Sequence, residues 1–162
     1  MLSSANLDVT DTLRRFKSAR LQVSFLVPTA TGLEKSIMDA TAEIREFMLL
    51  NGLHDYSKQG QGKDHRVLLG TTLLSQGRVE YTHTSLYRPN SKSGDPRIWI
   101  AGLKQFSSPH DLLAILASPN GIVAINCSQS DLNNVLDPSG MYYKDILAPA
   151  AVTESEPAKE LL

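Results

Sequence analysis

The chain has 162 residues but only one cysteine and one tryptophan, and aromatic residues make up 6% of it. A single cysteine cannot form an intrachain disulfide, so no disulfide framework holds the fold together. Cys127 lies in the apolar run GIVAINC, where a small buried side chain is expected rather than a nucleophile. Stability must therefore come from the packing of a hydrophobic core.

Long apolar runs are also missing. No stretch approaches the roughly 18 apolar residues that span a bilayer, and the first residues, MLSSANLDVTD, lack the cationic and apolar segments of a signal peptide. We therefore expect a soluble, cytoplasmic protein with no membrane partner. Hydrophobic residues make up 41% of the chain, which is ordinary for a globular protein, and the length suits one domain.

Signatures of catalysis and of metal binding are absent or incomplete. The stretch PTATGLEKS follows the order of a phosphate-binding P-loop, but Thr29 and Glu34 occupy the two positions where that motif needs glycine. The four histidines show no HExxH spacing, and no GxSxG motif presents a serine nucleophile. A magnesium-dependent nuclease site is not indicated either, since Arg97 closely follows Asp95 and would neutralise it. The sequence predicts no catalytic residue, no metal site and no cofactor.

Negative and positive charges are unevenly distributed along the chain, although the net charge is only -1. Residues 56–106 contain eight Lys/Arg and three Asp/Glu, whereas residues 107–162 contain two Lys/Arg and seven Asp/Glu. A basic middle segment can attract an anion whatever the total charge, because salt screens distant charges within about 10 Å. The same charges would also suit a well-solvated hairpin face, and both interpretations stay open.

The periodicity of apolar residues predicts an α+β fold. We expect a helix near Val9 to Phe16, a strand over 21–27, and a helix over 33–50 that begins with a capping box of Thr31 and Glu34. Three β-prone runs, 66–74, 78–88 and 96–102, predict an antiparallel meander, followed by a helix over 109–116, a strand over 121–127 and a helical turn over 130–136. Residues 1–147 are thus expected to form one domain, a strongly bent, barrel-like antiparallel sheet flanked by helices. Residues 148–162 are typical of a linker.

The first polar segment with binding chemistry is the loop HDYSKQGQGKDHR, residues 54–66. Glutamine can pair with an adenine edge, lysine and arginine with guanine or phosphate, and glycine lets the backbone approach a phosphate. The composition is equally typical of a mobile surface loop. The candidate contact residues are Tyr56, Ser57, Lys58, Gln59, Gln61, Lys63, His65 and Arg66.

The second polar segment is the predicted hairpin SLYRPNSKSGDPRIW, residues 85–99. Strand alternation in its last part places Ile98 and Ile100 toward the core, and Arg97 and Trp99 on the other face. Trp99 beside Arg97 would suit a binding surface, but it would equally suit packing at a barrel end with Arg97 stacked on the ring. The candidate contact residues are Arg88, Asn90, Ser91, Lys92, Asp95, Arg97 and Trp99.

Several phrases of the chain together resemble a known family. The runs LVPTATGLEKSIMDAT, HDYSKQGQG and SLYRPNSKSGDPRIWIAGLK, followed by PHDLLAIL, resemble the N-terminal region of restriction endonucleases related to EcoRII and MvaI/BcnI, over roughly residues 21–128. This resemblance implies a DNA-binding pseudobarrel like that of plant transcription factors, in which a curved sheet grips the major groove with two polar arms. It also implies a nuclease domain in a separate C-terminal part of the protein. The arms would correspond to residues 54–66 and 85–99.

The functional expectation is site-specific binding of double-stranded DNA by the recognition domain of a type II restriction endonuclease whose nuclease domain lies outside this chain. Arg88, Lys92 and Arg97 would contact phosphate or guanine, Asn90 and Gln61 would read bases, and two aromatic residues, Tyr87 and Trp99, would support the hairpin. Two alternatives stay open. One is a small enzyme whose basic middle surrounds a phosphorylated or carboxylated substrate, and the other is a protein-interaction module.

Overall fold

The computed structural model describes residues 8–119, 121–148 and 150, which form a strongly curled half-barrel sheet with short helices. The seven strands are β1 (Ser24–Leu26), β2 (Ile37–Asp39), β3 (Val67–Ser75), β4 (Arg78–Tyr87), β5 (Arg97–Ile100), β6 (Leu113–Ser118) and β7 (Gly121–Asn126). The helices in the described residues are α1 (Val9–Ser18), α2 (Ala30–Lys35), α3 (Ala42–Leu50), α4 (Leu103–Phe106) and α5 (Leu132–Val135). A π-helical turn, Tyr143–Leu147, follows α5.

The strands are arranged in the order β1-β6-β7-β3-β4-β5-β2. Strands β3, β4 and β5 form the predicted antiparallel meander. Strand β7 pairs with β3 in parallel, whereas the other neighbouring strands pair antiparallel. The predicted α+β class with a bent sheet flanked by helices is therefore confirmed, but the sheet is mixed and not wholly antiparallel.

The predicted helix over residues 33–50 is wrong, because the chain forms α2, β2 and α3 there. The capping box of Thr31 and Glu34 is not formed, since Thr29 caps α2 by accepting a 2.9 Å hydrogen bond from the Gly32 N–H. Ser36 ends α2 in the left-handed region at φ +59°. The next three residues pair with β5, and hydrogen bonding to that strand outweighs their helical pattern.

The predicted helix over residues 109–116 is also wrong, because Leu113–Ser118 forms strand β6. This strand lies between β1 and β7, and its first four residues are buried on both faces of the sheet. Periodicity cannot distinguish a strand buried on both faces from a buried helix, since both read as continuous apolar runs. Pairing with β1 and β7 decides the outcome.

Two apolar cores lie on opposite faces of the sheet. Helices α2, α3 and α4 cover the first face, where Leu73, Leu86 and Ile115 are buried. Helices α1 and α5 and the π-helical turn pack on the second face, mainly over β6, β7 and the end of β3. On the second face, β4 contributes Val79 near its start to this core, and the rest of β4 and all of β5 contribute no residue to it.

The buried positions of β5 and of Cys127 agree with the sequence prediction. Ile98 and Ile100 are buried, as strand alternation predicted, and Cys127 is a core residue whose burial raises the pKa of its thiol to about 12. Of the predicted linker, Ala148 and Ala150 are helical and Ala150 is buried, while 149 and 151–162 lie outside the described residues. No helix in the described part of the chain combines the length and apolar character that a membrane crossing requires.

Candidate functional site

The uncovered part of the second face forms the floor of a cleft. Trp99 on β5 lies opposite Ser85 on β4, and Ser85 lies opposite Leu68 on β3, so the three side chains form a row across the sheet. In the next row His83 lies opposite Gly70, which has no side chain to fill the space. The rings of His83 and Trp99 are 5.3 Å apart between centroids and tilted by 50°.

The cleft has a volume of about 650 Å³. This is within the range of roughly 300–1,000 Å³ that is typical of sites for small ligands. The floor and walls combine aromatic, apolar, basic and amide side chains. The lining residues are Gly62, Lys63, Arg66, Leu68, His83, Ser85, Tyr87, Pro89, Asn90 and Trp99.

The two predicted arms meet beside the cleft and are hydrogen-bonded to each other. The Gly62 N–H donates to the Arg88 carbonyl oxygen at 2.7 Å, and the Gln61 side chain donates to the Pro89 carbonyl oxygen at 3.2 Å. Residues 54–66 and 88–96 therefore form a single unit, the arm lobe. They do not form two separate arms that could close independently around a ligand.

Arg88 and Gln59 hold the arm lobe together from within. The Arg88 guanidinium donates from Nη1 to the Gln59 carbonyl oxygen at 2.7 Å and from Nε to the Gly94 carbonyl oxygen at 2.9 Å. The Gln59 side chain is buried and donates to the carbonyl oxygens of His65 and Leu86, both at 2.9 Å. Both side chains support the lobe, and neither lines the cleft.

Tyr56 is buried and joins the arm lobe to β5. Its hydroxyl donates to the Arg97 carbonyl oxygen at 2.9 Å, and its ring packs edge-on against His54. Burial raises the pKa of the Tyr56 phenol far above its ordinary value of 10.0. This side chain is only 5% exposed, so it positions other groups and does not offer a contact to a macromolecule.

Two glycines of the arm lobe adopt backbone conformations that other residues rarely adopt. Gly62 has φ +103° and Gly94 has φ +73°. A Cβ atom on Gly94 would lie 2.7 Å from the Gln61 side chain, and one on Gly62 would lie 3.3 Å from Asn90 Oδ1. Glycine at these positions lets the two arms approach each other closely.

Lys63, Arg66 and Asn90 are exposed and line the cleft. Trp99 lines the floor of the cleft and is half-buried. In the described part of the chain, neither Lys63 nor Arg66 forms an ion pair, whereas Arg14, Arg78, Arg97 and Lys104 do. The exposed candidates that do not line the cleft are Ser57, Lys58, Gln61, His65, Ser91 and Asp95. The Lys92 side chain lies outside what the structure describes, although its backbone begins a 3₁₀ turn.

Arg97 lies on the same sheet face as Trp99 but is directed toward β2. Its Nε is 3.2 Å from Asp39 Oδ1, and the Arg97 side chain is 22% exposed. The pKa of the neighbouring Tyr87 is raised by burial, and the positive charge of Arg97 partly opposes that rise. Among the described residues, Trp99 forms an aromatic pair with His83.

Leu68, His83 and Ser85 were not among the predicted contact residues, although they line the cleft. A signal for two of them is present in the sequence, because alternation along THTSLY places His83, Ser85 and Tyr87 on one face of β4. That signal becomes useful only when the register with β3 and β5 is known, since the register decides which neighbours share the face.

Comparisons of the chain with known protein families, with curated proteins and with solved structures find no significant match. The resemblance to the restriction endonucleases therefore rests on the sequence phrases alone. The architecture, a mixed seven-stranded half-barrel with helices, does not depend on this resemblance.

Proposed function

We propose that this domain binds double-stranded DNA through the arm lobe and the cleft beside it. The observation that carries the proposal is the placement of Lys63 and Arg66, two exposed cations that line a cleft on an uncovered part of the sheet. Cations without carboxylate partners are available for phosphate, and contacts with phosphate provide most of the affinity of proteins for DNA.

The exposed residues of the site divide into two roles. Lys63 and Arg66 contact the backbone phosphates, which orient the duplex without reading its sequence. Asn90 is the candidate base reader, since its amide can pair bidentately with an adenine edge. Arg88 keeps the two arms in place through its bonds to Gln59 and Gly94, and so acts as a positioning residue.

We further propose that the chain is the recognition domain of a cytoplasmic type II restriction endonuclease, with its nuclease in a separate domain. The support is the resemblance of residues 21–128 to the EcoRII and MvaI/BcnI enzymes, together with the curled half-barrel. The gene sequence downstream of the codon for Leu162 tests this part. An open reading frame that continues into a domain with a magnesium-binding carboxylate cluster would support it, and one without such a domain would contradict it.

Fluorescence anisotropy with a labelled duplex at several salt concentrations tests DNA binding. Log affinity should fall linearly with log salt, with a slope of about -0.9 for each phosphate neutralised. In the double variant Lys63→Gln/Arg66→Gln, affinity should fall and the slope should become shallower by about two, because two contacts are lost.

A matched control removes two exposed lysines that do not line the cleft, Lys17→Gln/Lys144→Gln. This control changes the net charge by the same amount, and its salt slope should equal that of the unmodified protein. If the unmodified protein does not bind duplex DNA in low salt, or if the two double variants weaken binding equally, the cleft is not a DNA site.

A second candidate function is the binding of a small anionic ligand inside the cleft. The cleft volume of about 650 Å³ favours it, because small-ligand sites are concave with a few convergent polar groups. Nucleoside monophosphates would then raise the melting temperature of the protein, and the Lys63→Gln/Arg66→Gln variant would lose that effect. Under this alternative, duplex DNA would not compete with the small ligand.

A further inference from the structure

We infer that the cleft receives a single unpaired nucleobase of the bound DNA, an inference that rests on the proposed DNA binding. The surface beside the arm lobe has a recess with aromatic side chains in its floor, and a uniform groove for a duplex would need neither the recess nor the rings. Trp99 and His83 provide the aromatic surfaces, with their ring centroids 5.3 Å apart. Stacking on aromatic side chains is the usual way in which proteins hold an unpaired base.

The size of the recess argues for one base and against a paired segment. A duplex is about 20 Å across, and the major groove that a protein enters is about 12 Å wide. A recess of about 650 Å³ cannot contain such a duplex, although its rim can touch one. A nucleotide that leaves the stack can enter the recess, at a cost that is smallest where it has no pairing partner.

Polar groups inside the recess can recognise the edge of a base. Ser85 lies between Trp99 and Leu68 in the floor row, and Asn90 also lines the recess. Among the described residues, neither group forms a side-chain hydrogen bond to the protein, so both are available to a ligand. An amide presents a donor and an acceptor together, which matches the polar edge of a base.

Charge complementarity indicates that the occupant belongs to a DNA strand. A nucleotide that turns out of the stack carries a phosphate on each side, and these phosphates remain outside the recess. Lys63 and Arg66 line the same recess and are exposed, so they can hold the flanking phosphates while the base enters. Leu68, which is 57% exposed, adds an apolar surface opposite Trp99 across the floor row.

The experiment compares a perfect duplex with the same duplex carrying one unpaired 2-aminopurine as a bulge. The bulged duplex should bind about tenfold more tightly, a difference within the range that base–aromatic stacking contributes. Because Trp99 is the single tryptophan in the chain, its fluorescence reports on stacking directly and should be quenched by the bulged duplex. The fluorescence of 2-aminopurine should also change, which needs no variant of the protein.

The variant Trp99→Leu should reduce the ratio of bulged to perfect affinity to about one, because it removes the stacking surface. Tyr81→Leu is the matched control, since Tyr81 is on the same face of β4, is 77% exposed and does not line the cleft. This control should retain the preference. If Trp99→Leu does not fold, the 2-aminopurine and tryptophan signals of the unmodified protein decide the question.

The outcomes separate this inference from the proposed function. Equal affinity for both duplexes, without a change in either fluorescence signal, would overturn the inference. DNA binding itself would still stand if the Lys63→Gln/Arg66→Gln variant lost affinity for the perfect duplex. Absence of binding to both duplexes in low salt would overturn both.

Discussion

At the scale of single residues, hydrogen bonds within the arm lobe fix the direction of the charged Arg88 side chain. Its guanidinium is half-buried and donates to carbonyl oxygens on both arms, from Gln59 and from Gly94. A hydrogen bond with a charged partner contributes about 1.5–3 kcal/mol, more than a neutral one. To contact DNA, Arg88 would have to break these bonds, so its contribution to binding is through the shape of the arm lobe.

Arg88→Ala should therefore lower the free energy of unfolding by about 2 kcal/mol, because two backbone acceptors lose a charged donor. Urea denaturation measures this. Arg66→Ala, which removes an exposed arginine of the same arm lobe, is the control and should change stability by no more than about 0.5 kcal/mol. Unchanged stability of Arg88→Ala combined with weaker duplex binding would show that the guanidinium turns outward toward DNA.

Side-chain direction could be predicted from the sequence where it depends on local alternation alone. Ile98 and Ile100 face the core, as the pattern of PRIWIA indicates. The roles of Gln59 and Arg88 could not be predicted, because their partners come from another part of the chain; Gln59, for example, bonds to Leu86. Residue type shows that both side chains carry hydrogen-bonding groups, but it does not identify the partners of those groups.

At the scale of elements, the arm lobe depends on backbone conformations that only glycine adopts easily. Gly94 has φ +73° and is packed against Gln61. Gly77 in the β3–β4 turn has φ +84°, and within the described residues no atom beyond its chain neighbours lies within 4 Å of the position that a Cβ would take. An alanine at either position has a conformational cost of about 1–2 kcal/mol. Only at Gly94 must a neighbouring side chain also move.

Gly94→Ala should therefore destabilise the protein by about 1 kcal/mol more than Gly77→Ala, since Gln61 would lose its hydrogen bond to Pro89. Amide hydrogen exchange provides a local measurement. The Gly62 N–H, which donates to Arg88, should exchange faster in Gly94→Ala and at the usual rate in Gly77→Ala. Equal costs with unchanged exchange would mean that the two arms do not support each other.

The elements that were predicted correctly are those whose residue pattern is typical of only one type of secondary structure. Strand β5 alternates half-buried and buried residues, as its sequence does, and β3 and β4 are long runs of β-prone residues joined by a short turn. Strand β6 is buried on both faces, so its pattern contains no alternation. Strand β2 has three residues and follows Ser36 in the left-handed region, a conformation that no local rule predicts for serine.

At the scale of the whole molecule, burial of titratable groups in the two cores makes the folded protein less stable at high pH. Cys127 in the second core is 4% exposed, and burial raises the pKa of its thiol from an ordinary 9.0 to about 12. Tyr56 in the first core also has a raised pKa because of burial. In the unfolded chain these groups lose their protons at lower pH than in the folded protein, so alkali favours unfolding.

The contribution of Cys127 is fully present below pH 9 and is lost as the pH rises from 9 to about 12. Over this interval it should reduce the free energy of unfolding by about 1.4 kcal/mol per pH unit. Urea denaturation of the unmodified protein and of Cys127→Ala across the interval tests this. The free energy of unfolding of the variant should fall less steeply with pH, because the variant lacks the one proton that Cys127 releases. Parallel profiles of the two proteins would contradict the raised pKa of Cys127.

The class of the fold could be predicted from the sequence, but the order of its strands could not. Hydrophobic patterning identifies strands and helices one at a time, and the meander follows from short connections between neighbours. The parallel pair of β3 and β7 joins residues as distant as Gly70 and Gly121. The cleft depends on that arrangement, because the helices that follow β7 cover one part of the second face and leave the other part open.

The pairing of β1 has a consequence for the order in which the chain can fold during its synthesis. Strand β1 is made first, yet its partner in the sheet is β6, with Ser24 opposite Ile115. At translation rates of about 5–20 residues per second, β1 waits on the order of ten seconds before β6 exists. The meander can form in that interval, so the earliest strand to leave the ribosome is among the last to enter the sheet.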